Sequence, residues 1–175
     1  MKLKCVGPLQ NFAFNCDLRR YGKARAIGVS NFDVNQLAQL KQWAAVPPAV
    51  VQRNSDIFSA DVGAQVFTRG SGWVYQAYSS LGSQWMMKGY RDNPVLHAAA
   101  VAAAAAAHNA SPAQVCLRWA LHRGQAVIPR SANKGRISQN LNVTWFNLTP
   151  DELDAMDALD GHPPWVLGGA HSLSR

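Results

Sequence analysis

The chain has 175 residues, 48% of them apolar and 15% charged, which is enough for one domain with a real core. It contains no apolar run near the roughly 18 residues of a membrane span, and its opening "MKLKCVGPLQ" lacks the apolar stretch of a signal peptide, so a cytoplasmic protein without a membrane partner is expected. The formal charge of +7 is uneven: residues 118–140 carry five basic side chains and no acidic one, yet no aromatic-basic interleaving or nucleic-acid motif accompanies them, which points to a phosphate and away from nucleic acid.

In chain order, "ARAIGV" (24–29) reads as a short apolar strand. Helix "DVNQLAQLKQWAA" follows, with Asp33 as N-cap, Leu37, Leu40 and Ala44 on one face, and Pro47 and Pro48 at its end. "AVVQ" (49–52) is a second strand and "ADVGAQVFTRG" a helix with Val62 and Val66 on one side. "WVYQAYS" (73–79), rich in aromatic and branched residues, is a third strand. The long connection "SLGSQWMMKGYRDN" then offers Trp85, Met86 and Met87 either to the core or to a pocket.

The alanine-rich stretch 94–107 should form a regular but loosely held helix, because alanine favours helix and buries little area. Ser111 and Pro112 restart a helix whose apolar stripe is Val115, Trp119 and Leu121. "AVIP" (126–129) is the fourth strand and "NKGRISQNL" a short helix behind it. Thr149 and Glu152 form a capping box ahead of a helix carrying Leu153, Met156 and Leu159. The tail from 162 reads as an extended surface segment. Gly70-Ser71-Gly72 lies before a strand, so it is a turn and no dinucleotide fingerprint. Cys5, Cys16 and Cys116 make no Cys-x-x-Cys pair and no zinc spacing with the five His; they read as free thiols, and no metal site is expected.

Strands alternating with helices predict βαβ units and a parallel sheet. Each strand ends polar: Ser30 and Asn31 after the first, Gln52 at the second, Tyr78 and Ser79 at the third, Arg130 and Ser131 after the fourth. At these ends the sequence resembles the aldo-keto reductases. The matching motifs are "GKARAIGVSNF", "VVQ", "AYSSLG", "SPAQVCLRWAL" and "VIPRSANKGRISQN", in the family's order and near its spacing, and together they cover residues 18–160.

The resemblance implies an α/β fold: a partial TIM barrel of about four βα units with a C-terminal helix, spanning 18–161, with 1–17 as an unrelated leader and 162–175 as a tail. It also implies NADP(H) as cofactor. Ser30, Asn31 and Gln52 match the residues that hold the nicotinamide carboxamide, to which their side chains can donate and from which they can accept. Tyr78 matches the ring that stacks on the nicotinamide. Ser79, Leu81, Gly82 and Ser83 match the loop over the pyrophosphate, with Ser80 where many members have Pro. Arg130, Ser131 and Arg136 match the grip on the adenosine 2′-phosphate, which suits guanidinium forks. Gln139 and Asn140 match positions near the adenine. Arg130 stands where Lys is commoner, and Gln139 where Glu is frequent.

The family's proton-donating Tyr, its Asp-Lys pair and its nearby His belong to the first half of the barrel, and none of those motifs occurs here. Tyr21 lies ahead of the first matching strand and cannot stand in. No catalytic residue is therefore assigned. A half barrel would expose strand edges and its interior face, so a second copy or a separately encoded first half is the expected protein partner. Two functions remain open on the sequence: the nucleotide-binding half of a carbonyl reductase, or a non-catalytic module of a dimer or larger complex.

Overall fold

The structure is a computed structural model that describes Phe12 and residues 16–162. Cys5, most of the expected leader and the tail beyond His162 lie outside the described residues. Residues 16–20 are helical and turn into β1 (Gly28–Ser30), which is followed by α1 (Val34–Trp43), β2 (Val50–Asn54), α2 (Val62–Gly70) and β3 (Val74–Tyr78). Three helices, α3 (Ser83–Met87), α4 (Ala99–His108) and α5 (Pro112–His122), precede β4 (Ala126–Val127). Then come α6 (Lys134–Leu141) and α7 (Pro150–Asp157). The strands form a parallel sheet in the order β1-β2-β3-β4, so the α/β class with four βα units and a closing helix is what the chain adopts.

β1 pairs with β2 in register Gly28 to Val50, Val29 to Val51 and Ser30 to Gln52. A Cβ on Gly28 would lie 2.6 Å from the Val50 carbonyl oxygen, so only glycine permits that approach. The strand begins at Gly28 and not at residue 24 because its partner starts after Pro47 and Pro48, which have no N–H to give a ladder; Ala49 supplies the first donor, to Ile27 at 2.8 Å. β4 stops at Val127, two residues short of expectation, as Pro129 likewise has no donor.

The described chain divides into two compact units: one runs through Arg53 and includes Val62–Gln76, the other comprises Asn54–Asp61 and the residues from Ala77 onward. In the first, Leu37 and Leu40 of α1 are buried, and Asp33 forms a full capping box with Gln36. α2 turns Ala64, Gln65 and Thr68 inward and leaves Val62 and Val66 exposed, so the side those valines share faces solvent.

In the second unit the core runs from Ile57 and Phe58 through Trp85, Tyr90 and Val95 to residues of α4, α5 and α7. Trp85 packs down, edge-on to Phe58 and Tyr90, while Met86 and Met87 are exposed. The alanine-rich helix is shorter and better buried than expected. Asn93 and Pro94 shape a separate turn, in which the Asn93 side chain accepts from the Val95 and Leu96 amides, and the helix starts at Ala99 with Val101, Ala104 and Ala105 buried. Small side chains here allow close helix packing where large ones would have supplied area. Capping boxes at Ser111–Gln114 and Thr149–Glu152 start α5 and α7. Val115 and Trp119 of the expected stripe are buried and Leu121 is half-buried.

Candidate functional site

In the first unit the parallel register sets Ser30 beside Gln52, and the Asn31 amide extends the ladder by donating to the Gln52 carbonyl at 2.9 Å. Asn31 adopts a left-handed backbone (φ 60°), which asparagine tolerates better than most residues, and Asp33 then caps α1. Arg53 donates to the Phe32 carbonyl, tying this turn to β2. The Gln52 side chain donates through Nε2 to Gln76 Oε1 at 2.7 Å, which fixes the amide's orientation. Ser30 and Asn31 are exposed and Gln52 half-buried. Three neutral hydrogen-bonding groups thus sit together at the carboxyl ends of β1 and β2, where they can bind a primary amide. Sequence reasoning passed over Gln76; the alternation Val74, Gln76, Tyr78 against the buried Tyr75 and Ala77 is the signal that puts it on the Gln52 face.

In the second unit Tyr78 ends β3, and its carbonyl accepts from the Ser55 amide at 3.3 Å. Ser79 leaves the strand at φ 55°, its carbonyl accepts from the Gly82 amide at 2.8 Å, and its hydroxyl meets that of Ser83 at 3.0 Å. Gly82 is itself left-handed (φ 78°). Ser80, at the position where proline was the commoner residue, is buried and donates to the Ala77 carbonyl at 3.4 Å. Asn93 donates to the Leu81 carbonyl at 2.6 Å, so the tight turn 79–83 is pinned from a second segment.

A cavity of about 600 Å³ opens next to this turn, and Leu81, Arg130, Ser131, Arg136, Gln139 and Asn140 all line it. Tyr78, Ser79 and Ser83 lie outside its wall. α6 presents Arg136, Gln139 and Asn140 at spacings of three and four on one face. Although α6 buries no side chain, it is held at both ends. Asn133 caps it by accepting from the Arg136 amide at 3.0 Å, and the buried Gln114 amide donates to the Gln139 and Asn142 carbonyls at 3.3 and 2.8 Å. Two arginines and Ser131 line the cavity with no acidic residue on its wall, a composition suited to a multiply charged phosphate. His97 and Ser111 also line it; the sequence marked Ser111 only as a helix cap and did not single out His97.

Beneath the turn lies a buried carboxylate that sequence reasoning also missed. Asp56 is fully buried and accepts from the Phe58 amide (2.9 Å), Gln84 Nε2 (3.0 Å) and Trp85 Nε1 (3.1 Å). Burial pushes its pKa up, and these hydrogen bonds to the charged form oppose the rise. Tyr21 is exposed in the turn ahead of β1.

Residues 10–161 match the model of the Aldo/keto reductase family. Among curated proteins, the NAD(P)H-dependent D-xylose reductase of Aspergillus niger is 36% identical over 142 residues, covering 78% of this chain and 44% of that protein. The chain spans about half the length of the curated relatives it matches. Among solved structures, MGS-M4, an aldo-keto reductase enzyme from a Medee basin deep-sea metagenome library, superposes with a TM-score of 0.79 at 27% identity, over 87% of this chain and 54% of the other. A Bombyx mori aldo-keto reductase in complex with NADP gives a TM-score of 0.77 at 28% identity, over 86% of this chain and 49% of its own.

Proposed function

This chain belongs to the aldo/keto reductase family, and on that premise we propose that it is the NADP(H)-binding part of a carbonyl reductase. The observation that carries the reading is the cavity in the second unit, where Arg130, Ser131, Arg136, Gln139 and Asn140 converge without an opposing carboxylate. In this reading Arg130, Ser131 and Arg136 take the 2′-phosphate, and Gln139 and Asn140 flank the adenine. Ser79, Leu81 and Ser83 lie along the pyrophosphate, and the Tyr78 ring packs on the nicotinamide. In the first unit, Ser30, Asn31 and Gln52 are the groups suited to a carboxamide such as that of nicotinamide. The bound nucleotide would supply a hydride to a carbonyl carbon.

The chain's own residues bind and orient; the group that gives the proton is proposed to come from a partner half, either a second copy or a separately encoded first half. The proposed compartment is the cytoplasm, and among the described residues no helix is long and apolar enough to cross a membrane.

Titration of the chain with NADPH, followed by nucleotide fluorescence, tests the reading. Replacing Arg136 by alanine removes a charge-assisted hydrogen bond worth about 1.5–3 kcal/mol, so binding should weaken roughly 10- to 100-fold. Unchanged affinity in Arg136→Ala would refute the phosphate assignment. Turnover of an aromatic aldehyde by the chain alone would refute the need for a partner half.

A further inference from the structure

We infer that Asp56 is a positioning residue that holds the turn 79–83 in the shape needed to receive the dinucleotide, an inference that rests on reading that turn as the pyrophosphate loop. The turn continues directly into α3, which has five residues, and Gly82 at its N-cap supplies no side-chain capping bond. A single helical turn of that length does not persist in water by itself. Its order must come from outside, and the described contacts name the source.

Asp56 Oδ2 accepts from both Gln84 and Trp85, the second and third residues of α3, while Oδ1 accepts from the Phe58 amide. One carboxylate therefore joins the segment after β2 to the helix after β3. The segment on its far side is rigid in its own right. Asp56 and Ser59 exchange backbone hydrogen bonds at 3.1 and 3.0 Å, the Ser55 hydroxyl donates to the Ala60 carbonyl at 3.0 Å, and the Ala60 amide donates to Asp160 at 2.8 Å. Trp85 is locked between Phe58 and Tyr90, with ring centroids 6.0 and 5.8 Å away and near-perpendicular planes.

A carboxylate suits this position because all three partners are donors. Asparagine, of the same shape, would have to point its NH₂ at one of them. A hydrophobic residue would leave the Gln84 and Trp85 donors buried or half-buried without their acceptor. The hydrogen bonds of the Asp56 carboxylate go to Phe58, Gln84 and Trp85, none of them a residue proposed to contact the nucleotide, and two of the three reach α3, which begins at Ser83.

The test is NADPH titration of the full chain well below its unfolding transition, alongside thermal unfolding. Asp56→Asn should weaken NADPH binding roughly tenfold, and Gln84→Ala, which loses one of the three bonds and keeps the fold, by about threefold. Val101→Ala, a buried change on α4, should lower the Tm without moving the NADPH affinity, which separates a positioning role from a general loss of stability. Should Asp56→Asn fail to fold, Gln84→Ala and Trp85→Phe carry the comparison. NADPH affinities equal to wild type in Asp56→Asn, or in Gln84→Ala and Trp85→Phe, overturn the inference, and so does an equal weakening in Val101→Ala. A folded wild-type chain that binds no NADPH overturns the nucleotide reading first and this inference with it, a failure recognisable because the wild type itself is silent.

Discussion

Replacing Gly82 by alanine tests the geometry of the turn most directly. At φ 78° an L-residue with a side chain costs about 1–2 kcal/mol in the left-handed region. The added Cβ would lie 2.5 Å from Asn93 Oδ1, 2.6 Å from Val95 Cγ2 and 2.7 Å from Val95 Cβ. None of these neighbours can swing aside cheaply. Val95 is fully buried, and Asn93 is committed through its side chain to the Leu81 carbonyl and to the Val95 and Leu96 amides. Overpacking of this kind adds about 1–3 kcal/mol, so the total should be roughly 2–5 kcal/mol. Urea unfolding monitored by tryptophan fluorescence reads the loss, with Gly70→Ala as control. Gly70 ends α2 with open space around its Cα, and alanine there should be neutral or stabilising by up to about 1 kcal/mol. A Gly82→Ala midpoint equal to that of Gly70→Ala would refute the turn as described.

Glu152 accepts from His108 at 2.8 Å and from the Thr149 amide. Burial raises its pKa, but those hydrogen bonds and the His108 charge outweigh burial and hold it below 4.5. A depressed carboxylate contributes stability that is present above its unfolded value and lost as pH falls through the folded one. The gap in unfolding free energy between wild type and Glu152→Gln should therefore close as pH drops below 4.5, and a gap that widens would contradict the pairing. Thr149→Ala breaks the capping box of α7 and should cost about 1 kcal/mol in urea unfolding, with no loss meaning that the cap is idle. Burial pushes the Cys116 thiol far up, so it should react with a disulfide reagent only as fast as the chain unfolds; rapid labelling under native conditions would place it at the surface.

Local chemistry was the legible part of this sequence. Asp33, Ser111 and Thr149 each announce a helix start within four residues, and each caps its helix as expected, because a cap depends on neighbours in the chain. Strand ends were less legible. Whether residue 24 or Gly28 opens β1 is decided by what lies across the sheet, and that partner is some twenty residues away behind two prolines. Of the candidate site, the polar ends of the strands were visible as chemistry, and the resemblance of their motifs to the family gave them roles. The members that reach the site through space were invisible: Gln76 arrives by pairing beside Gln52, and Asp56 by hydrogen bonds to α3 across nearly thirty positions.

The three capping boxes carry a consequence for how the molecule assembles. Helices whose start is written into adjacent residues can begin to form in about a microsecond, before any distant segment arrives. Every strand pairing here must instead wait for a connection of about twenty residues or more to close, and β3 must wait for three helices before it meets β4. The slow event in folding is thus the search for strand register, with α1, α5 and α7 already flickering as nascent structure. Weakening a cap should change the starting ensemble more than the barrier.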